Sequence, residues 1–167
     1  MTIFVKNKHT LQIDEFKFKC CIGKNGSTRN KEEGDKKTPK GTYNIENLYF
    51  RKDRKEKPLT LLKCTEIVKG MGWCDDVRFP KKYNKLFKLE KNIKHEKLKR
   101  KDHKYDFLIP IKYNFNKPIA GLGSCIFIHL TKDYKPTAGC IALKEKDFLI
   151  MLKLIKKNSK IKIYYNL

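Results

Sequence analysis

His129 closes the apolar run Cys125-Ile126-Phe127-Ile128, and Cys140 follows eleven residues later within Pro136-Thr137-Ala138-Gly139-Cys140-Ile141-Ala142-Leu143. Residues of these types at this spacing could perform nucleophilic thiol chemistry. A thiol is little ionised at neutral pH, so it needs a nearby base or cation to become a thiolate. The acyl intermediate carries negative charge on oxygen and needs backbone N–H donors aimed at it. Gly139, directly before the cysteine, lets the backbone approach a substrate closely and turn those amides inward. A structural reading competes. Cysteine is often a small buried hydrophobe, and a histidine ending an apolar strand is commonly a satisfied core or rim residue. The spacing alone leaves both readings open.

The elements that must position this pair read as mainly β. Residues 2–6, 10–13 and 16–22 are short apolar-rich runs separated by polar breaks, as in strands and hairpins. Residues 42–50, 61–68, 105–113 and 125–130 continue the series, and 161–165 closes it. Cys125 and His129, at i and i+4 of one strand, would share a face, with Cys125 a packing residue. Residues 144–157 differ. Phe148, Met151, Leu152 and Ile155 fall at helical spacing and predict one amphipathic helix after the cysteine. Residues 23–41 read as a long ordered loop. Residues 70–104, rich in Lys, Asp and Asn, read as a long irregular excursion. Loops of that length are usually functional, which suggests a flap over a substrate cleft; the alternative is a solvated insertion.

Several blocks of this chain resemble one family. His129, a variable loop, then Thr137-Ala138-Gly139-Cys140 and an apolar residue resemble the signature of the L,D-transpeptidase (YkuD-like) catalytic domain. Cys20-Cys21-Ile22-Gly23-Lys24-Asn25-Gly26 and Glu33-Gly34-Asp35-Lys36-Lys37-Thr38-Pro39-Lys40-Gly41-Thr42-Tyr43 resemble its G-x-x-G and E-G-D-x-x-T-P-x-G-x-[FY] segments. Gly72-Trp73-Cys74-Asp75-Asp76 with Tyr83-Asn84, continued by His95-Glu96-x-Leu98 and Asp102-His103-x-Tyr105-Asp106, is similar to a block of one branch. The resemblance spans residues 18–143 and implies a mixed-sheet β-sandwich-like domain, here one domain over residues 1–167. Two departures stand out. The loop between histidine and cysteine is short, and Ala142 stands where many members carry Arg or Asn, so a substrate carboxylate must be held differently or not at all.

The resemblance also implies a mechanism. Cys140 attacks the carbonyl of an L-to-D peptide bond in a peptidoglycan stem, and His129 takes the thiol proton and later returns one to the leaving amine. The N–H groups of Gly139 and Cys140 stabilise the oxyanion. Thr137 sits by the histidine and fixes its tautomer. A thioester forms; an amine from a second stem makes a cross-link, whereas water would make the enzyme a carboxypeptidase. Trp73, Asp75, Asp76, Tyr83 and Ala138 are expected along the substrate cleft, with a turn-forming role the alternative for Asp75 and Asp76. Glu33 and Asp35 read equally well as turn residues. His103 reads as a second site histidine or a surface one; His9 and His95 carry no argued role. No metal or cofactor is implied, and carbapenem-like acylating agents are expected inhibitors.

Composition bounds these readings. A chain of 167 residues suits one core burying roughly two thirds of its unfolded surface. Ten Phe, eight Tyr and 40% hydrophobic residues exclude a disordered composition despite 35% charge. Forty Lys and Arg against eighteen Asp and Glu give a net charge of +22. Nucleic-acid binding, attraction to an anionic surface or polymer, and compositional bias are three readings of that charge. The lysines are spread along the chain, densest over residues 91–104, without a recognition-helix, zinc-finger or aromatic RNA-binding signature, so no nucleic-acid partner is expected. Acidic stem peptides fit the charge. A basic, non-catalytic wall- or nucleic-acid-binding module remains the alternative from another class. Six cysteines form no CxxC pair, which argues against zinc; Cys64 and Cys74 are the pair first to test for a disulfide. The family's role in cell wall biogenesis and cell shape places the expected monomer in the periplasm, although Met1-Thr2-Ile3-Phe4-Val5-Lys6 begins directly with a strand-like run. No signal-peptide h-region and no transmembrane segment is read.

Overall fold

Alternation of apolar and polar residues dictates the first three strands. In the computed structural model, which describes residues 1–164, β1 (Thr2–Asn7), β2 (Thr10–Ile13) and β3 (Phe16–Cys21) form an antiparallel meander. Val5 pairs with Leu11 and Leu11 with Phe18, so one face of the meander is wholly apolar. The following strands have four residues or fewer: β4 (Ser27–Thr28), β5 (Thr38–Pro39), β6 (Gly41–Asn44), β7 (Leu48–Phe50), β8 (Cys64–Glu66), β9 (Met71–Cys74), β10 (Leu86–Lys88), β11 (His95–Lys97), β12 (Phe107–Pro110), β13 (Phe127–Leu130) and β14 (Ile141–Leu143). One helix, α1 (Glu145–Leu154), then leads to β15 (Lys160–Ile163).

Ten of these strands make one curled mixed sheet in the order β6-β15-β1-β2-β3-β14-β13-β12-β7-β8. Its inner face holds the main core, with Ile3, Leu11, Phe107, Ile128, Ile141 and Ile161 among its members. Helix α1 closes that core through Phe148, Met151 and Leu152. Glu145 and Asp147 in its first turn and Lys153 in its last suit the helix dipole. The helix stops before the expected residue 157 because Ile155 turns extended (φ −88°, ψ 155°).

The central strands are buried on both faces, as continuous apolar runs predict. Ile128 and Leu130 join the inner core, while Phe127 joins a second cluster with Trp73, Leu98, Tyr105, Leu108 and Cys140 on the outer face. That second cluster forms because residues 70–104 fold back over the sheet. They are not irregular throughout: β10-β9-β11 make a three-stranded antiparallel sheet. The loop 23–41 likewise contains the parallel pair β4–β5.

Expected strand bounds shift for identifiable reasons. Residues 42–50 split, because Ile45 makes an isolated bridge with Ile111 and sends β6 and β7 to opposite parts of the sheet. Strand β13 starts at Phe127 because Cys125 lies in the left-handed region (φ 54°). Strands form only over residues 64–66 and 107–110 of the runs 61–68 and 105–113. Residue 165, the expected end of the last strand, lies outside the described residues. Strand β14, carrying Ile141–Leu143, is absent from the sequence reading because three residues are too few for a period to show.

Candidate active site

Strands β13 and β14 run parallel, with Ile128 opposite Ile141 and His129 opposite Ala142. Side chains alternate across a strand, so Phe127, His129 and Ala142 share the outer face. Cys140, one residue ahead of β14, continues that face beside Phe127, whose N–H donates to Sγ at 3.4 Å. The thiol donates to the Cys125 carbonyl at 3.1 Å. Cys140 is 8% exposed, yet it lines the same cleft as His129, a hollow of about 740 Å³ that also touches Asp75, Glu96, Tyr105 and Ala138.

His129 is held by its surroundings. Nδ1 lies 2.9 Å from the Leu130 carbonyl. A carbonyl only accepts, so Nδ1 carries the proton and Nε2 is left as an acceptor. The Tyr105 ring packs across the imidazole, centroids 5.4 Å apart at 74°. The Tyr105 hydroxyl donates to Glu96 Oε1 at 2.9 Å, and Arg100 donates to the same oxygen at 2.8 Å. Burial lowers the imidazole pKa to about 4, with the cations of Lys104 and Arg100 acting in the same direction. Burial also pushes the Cys140 thiol up to about 12. Burial therefore favours the uncharged form of both partners.

The turn before Cys140 is built from three segments. Thr137 Oγ1 donates to the Cys140 carbonyl at 2.6 Å and accepts the Gly139 N–H at 3.1 Å. Thr38 Oγ1 donates to the Gly139 carbonyl at 2.8 Å and accepts the Gly23 N–H at 2.9 Å. Gly139 has φ +143°, and a Cβ there would stand 2.9 Å from the Lys37 carbonyl oxygen, so the position demands glycine. Thr137 does not orient the histidine as expected. Its hydroxyl is spent closing the cysteine turn, and the Leu130 carbonyl fixes the tautomer instead.

Trp73 and Tyr83 lie behind the cleft wall rather than on it, at 2% and 0% exposure. Their polar tips find partners only by turning inward. Trp73 Nε1 donates to Asn84 Oδ1 at 3.0 Å, and that oxygen also accepts the Cys125 N–H at 3.1 Å. The Tyr83 hydroxyl donates to the Glu33 carboxylate, which also accepts from Ser124 Oγ at 2.6 Å. Together they fasten the segment 123–125 that supplies the carbonyl under the thiol. Asp76 is a turn residue, accepting from Arg78 and from the Lys94 N–H.

Asp75 does face the cleft. Its Oδ1 is buried and has no hydrogen-bond partner among the described residues. Burial raises its pKa against the pull of Lys94, 3.5 Å away. Glu96, Tyr105, Thr38, Asn84 and the Leu130 carbonyl shape the site without having been assigned a role from sequence. All but Leu130 lie within the quoted blocks, the one signal that could have found them. His103 also lines the cleft.

All six cysteines are free thiols. Cys64 on β8 and Cys74 on β9 are both free, so the expected pair forms no bridge in this structure. Cys125 also lines the cleft, but its thiol is directed at the Trp73 carbonyl (3.8 Å) and burial raises its pKa well above the ordinary value. Among the described residues no cluster of three or more His, Cys, Asp or Glu is placed to hold a metal ion, and no helix is long and apolar enough to cross a membrane.

Among the curated proteins, none matches the chain. A solved structure titled "Structure of Bdellovibrio bacteriovorus Bd1075" is similar at 14% identity and a TM-score of 0.45, over 98% of this chain and 47% of that one. The chain thus spans about half the length of that protein. The family model of the YkuD L,D-transpeptidase catalytic domain matches residues 1–163, and the chain belongs to that family.

Proposed function

We propose that this protein is a peptidoglycan L,D-transpeptidase with Cys140 as nucleophile and His129 as general base. The family consists of cysteine-dependent L,D-transpeptidases that act on the cell wall. The observation that carries the reading is the shared cleft: thiol and imidazole lie on one sheet face, on adjacent strands, with Nε2 unprotonated.

The neutral resting pair sets the order of events. The thiol gives up its proton to Nε2 as sulfur attacks the stem-peptide carbonyl, so charge develops only when substrate is present. The Gly139 N–H is engaged by Thr137, which leaves the Cys140 N–H as the oxyanion donor. The imidazolium then protonates the departing amine, and a thioester remains. Asp75, with an unpartnered oxygen in the cleft, accepts a hydrogen bond from an amine or amide of the bound stem. Ala138 forms part of the wall along which the donor lies. Attack on the thioester by an amine of a second stem completes a cross-link; attack by water trims the stem instead.

Incubation with purified disaccharide-tetrapeptides and mass analysis of the products tests this reading. Cross-linked dimers are expected from the native chain and none from Cys140→Ala. Trimmed monomers alone would make the enzyme a carboxypeptidase. Products from Cys140→Ala would overturn the assignment.

A further inference from the structure

The outer sheet face that carries the active site extends well beyond it. Pairing fixes which side chains share that face. From His129 the register passes to Ala142 and Cys21. On β3, Lys19 and Lys17 follow Cys21 at alternate positions; Lys17 pairs with Gln12, Gln12 with Phe4, and Phe4 with Lys162. Residues 70–104 cover only the β13-β12-β7 half of this face. Among the described residues the β15-β1-β2-β3 half has no second layer: Lys17, Lys19, Lys6 and Lys160 are exposed, and Lys162 is half-buried.

This uncovered half is one-sidedly basic. No acidic side chain stands among its outward positions on β1, β2, β3, β6 and β15. None of the five lysines forms a salt bridge among the described residues. Some lie against aromatic rings instead: Lys6 is 5.0 Å from the Phe4 ring, Lys19 4.7 Å from Tyr134, and Lys162 4.6 Å from Tyr164. The cleft adds Lys132 where this half meets the catalytic half, whereas its neighbour Lys135 is paired with Asp133 at 3.1 Å. A field of this sign along the strands concentrates a polyanion on the surface and directs it to the opening.

We infer that the β15-β1-β2-β3 face is a docking track for the carboxylate-bearing cell-wall polymer, holding neighbouring stems while one stem occupies the cleft. The inference rests on the proposed function for the identity of the polymer. Charge complementarity and continuity with the catalytic face select that occupant. A short soluble substrate would not reach the track, so the track governs retention on the polymer and leaves the chemical step alone.

The test replaces Lys17, Lys19, Lys160 and Lys162 together by Gln in the full chain. Co-sedimentation with insoluble peptidoglycan is measured across a salt series, beside turnover of a soluble disaccharide-tetrapeptide. The variant should need about tenfold more polymer for half-retention and show a shallower salt dependence. Its soluble turnover should stay unchanged. Native protein on polymer whose carboxylates have been amidated should behave like the variant. Unchanged retention of the variant, or undiminished binding of native protein to amidated polymer, would overturn the track. Loss of duplex-DNA retention without loss of polymer retention would overturn it too, assigning the face to nucleic acid. Lysine-dependent binding without any turnover by native protein would sink the proposed function and leave the track standing.

Discussion

The rings of Tyr105 and His129 cross at 74° with their centroids 5.4 Å apart, and the Tyr105 hydroxyl is tied to Glu96. The imidazole is therefore clamped between a backbone carbonyl on its own strand and an aromatic wall from the end of the excursion. Tyr105→Phe keeps the wall and removes only the hydrogen bond, so kcat/KM should fall by no more than about fivefold, from a loss near 0.5–1 kcal/mol. Tyr105→Ala removes the wall, should cost about 3 kcal/mol of stability, and should lower kcat by about a hundredfold through a misplaced imidazole. Steady-state kinetics beside urea denaturation separates the two effects.

Thr38 supports the Cys140 turn from another segment, joining Gly23 to the Gly139 carbonyl. Thr38→Val keeps the shape and leaves two buried backbone groups without partners. A loss of about 1–3 kcal/mol is expected, together with slower acylation of Cys140. Thr38→Ser should restore both. Single-turnover acylation and denaturation midpoints of the three proteins check this, and a Val variant that acylates at the native rate would detach Thr38 from the site.

Gly139→Ala should be worse tolerated than any exposed glycine substitution. The position has φ +143° and a Cβ would stand 2.9 Å from the Lys37 oxygen. Gly34, also at positive φ, meets nothing within 4 Å of an added Cβ. Gly34→Ala should therefore cost about 1 kcal/mol from backbone strain alone, and Gly139→Ala clearly more, with acylation abolished. Thermal denaturation of the pair gives the comparison.

Acid should weaken the fold through His129. Its folded pKa is lowered to about 4 from an ordinary 6.5, so between these values the unfolded chain binds the proton first. Stability from this residue is fully present above pH 6.5 and is lost as pH falls towards 4, by up to about 3 kcal/mol. His129→Gln should flatten that part of the profile. Denaturation midpoints at pH 7, 5.5 and 4.5 for both proteins measure it. The Cys140 thiol, raised to about 12, has the opposite sense: it should resist iodoacetamide at pH 7 and release stability only as pH climbs above its ordinary value of 9.

The candidate site was more legible in the sequence than the scaffold. Cys140, His129 and Gly139 stand in a short linear signature; their types admit thiol attack or simple packing, and the family resemblance selected the first. The meander over residues 2–21 was readable because period-2 alternation persists through three strands. Trp73 and Tyr83 were misplaced because an amphipathic ring can face a cleft or turn its polar tip inward, and only the positions of Asn84 and Glu33 decide which. The Thr137 role failed for a related reason: its hydroxyl had two backbone partners within its own turn. Residues 70–104 looked irregular since β10 and β11 are three residues each, too short to carry a visible period.

The central claim is that substrate becomes covalently attached to Cys140. Its most direct test is intact-protein mass measurement after exposure to a carbapenem, followed by peptide mapping, with Cys125→Ala and Cys140→Ala in parallel. One adduct is predicted, on the peptide bearing Cys140, retained in Cys125→Ala and absent from Cys140→Ala. An adduct that persists in Cys140→Ala, or that maps to Cys125, would contradict the account.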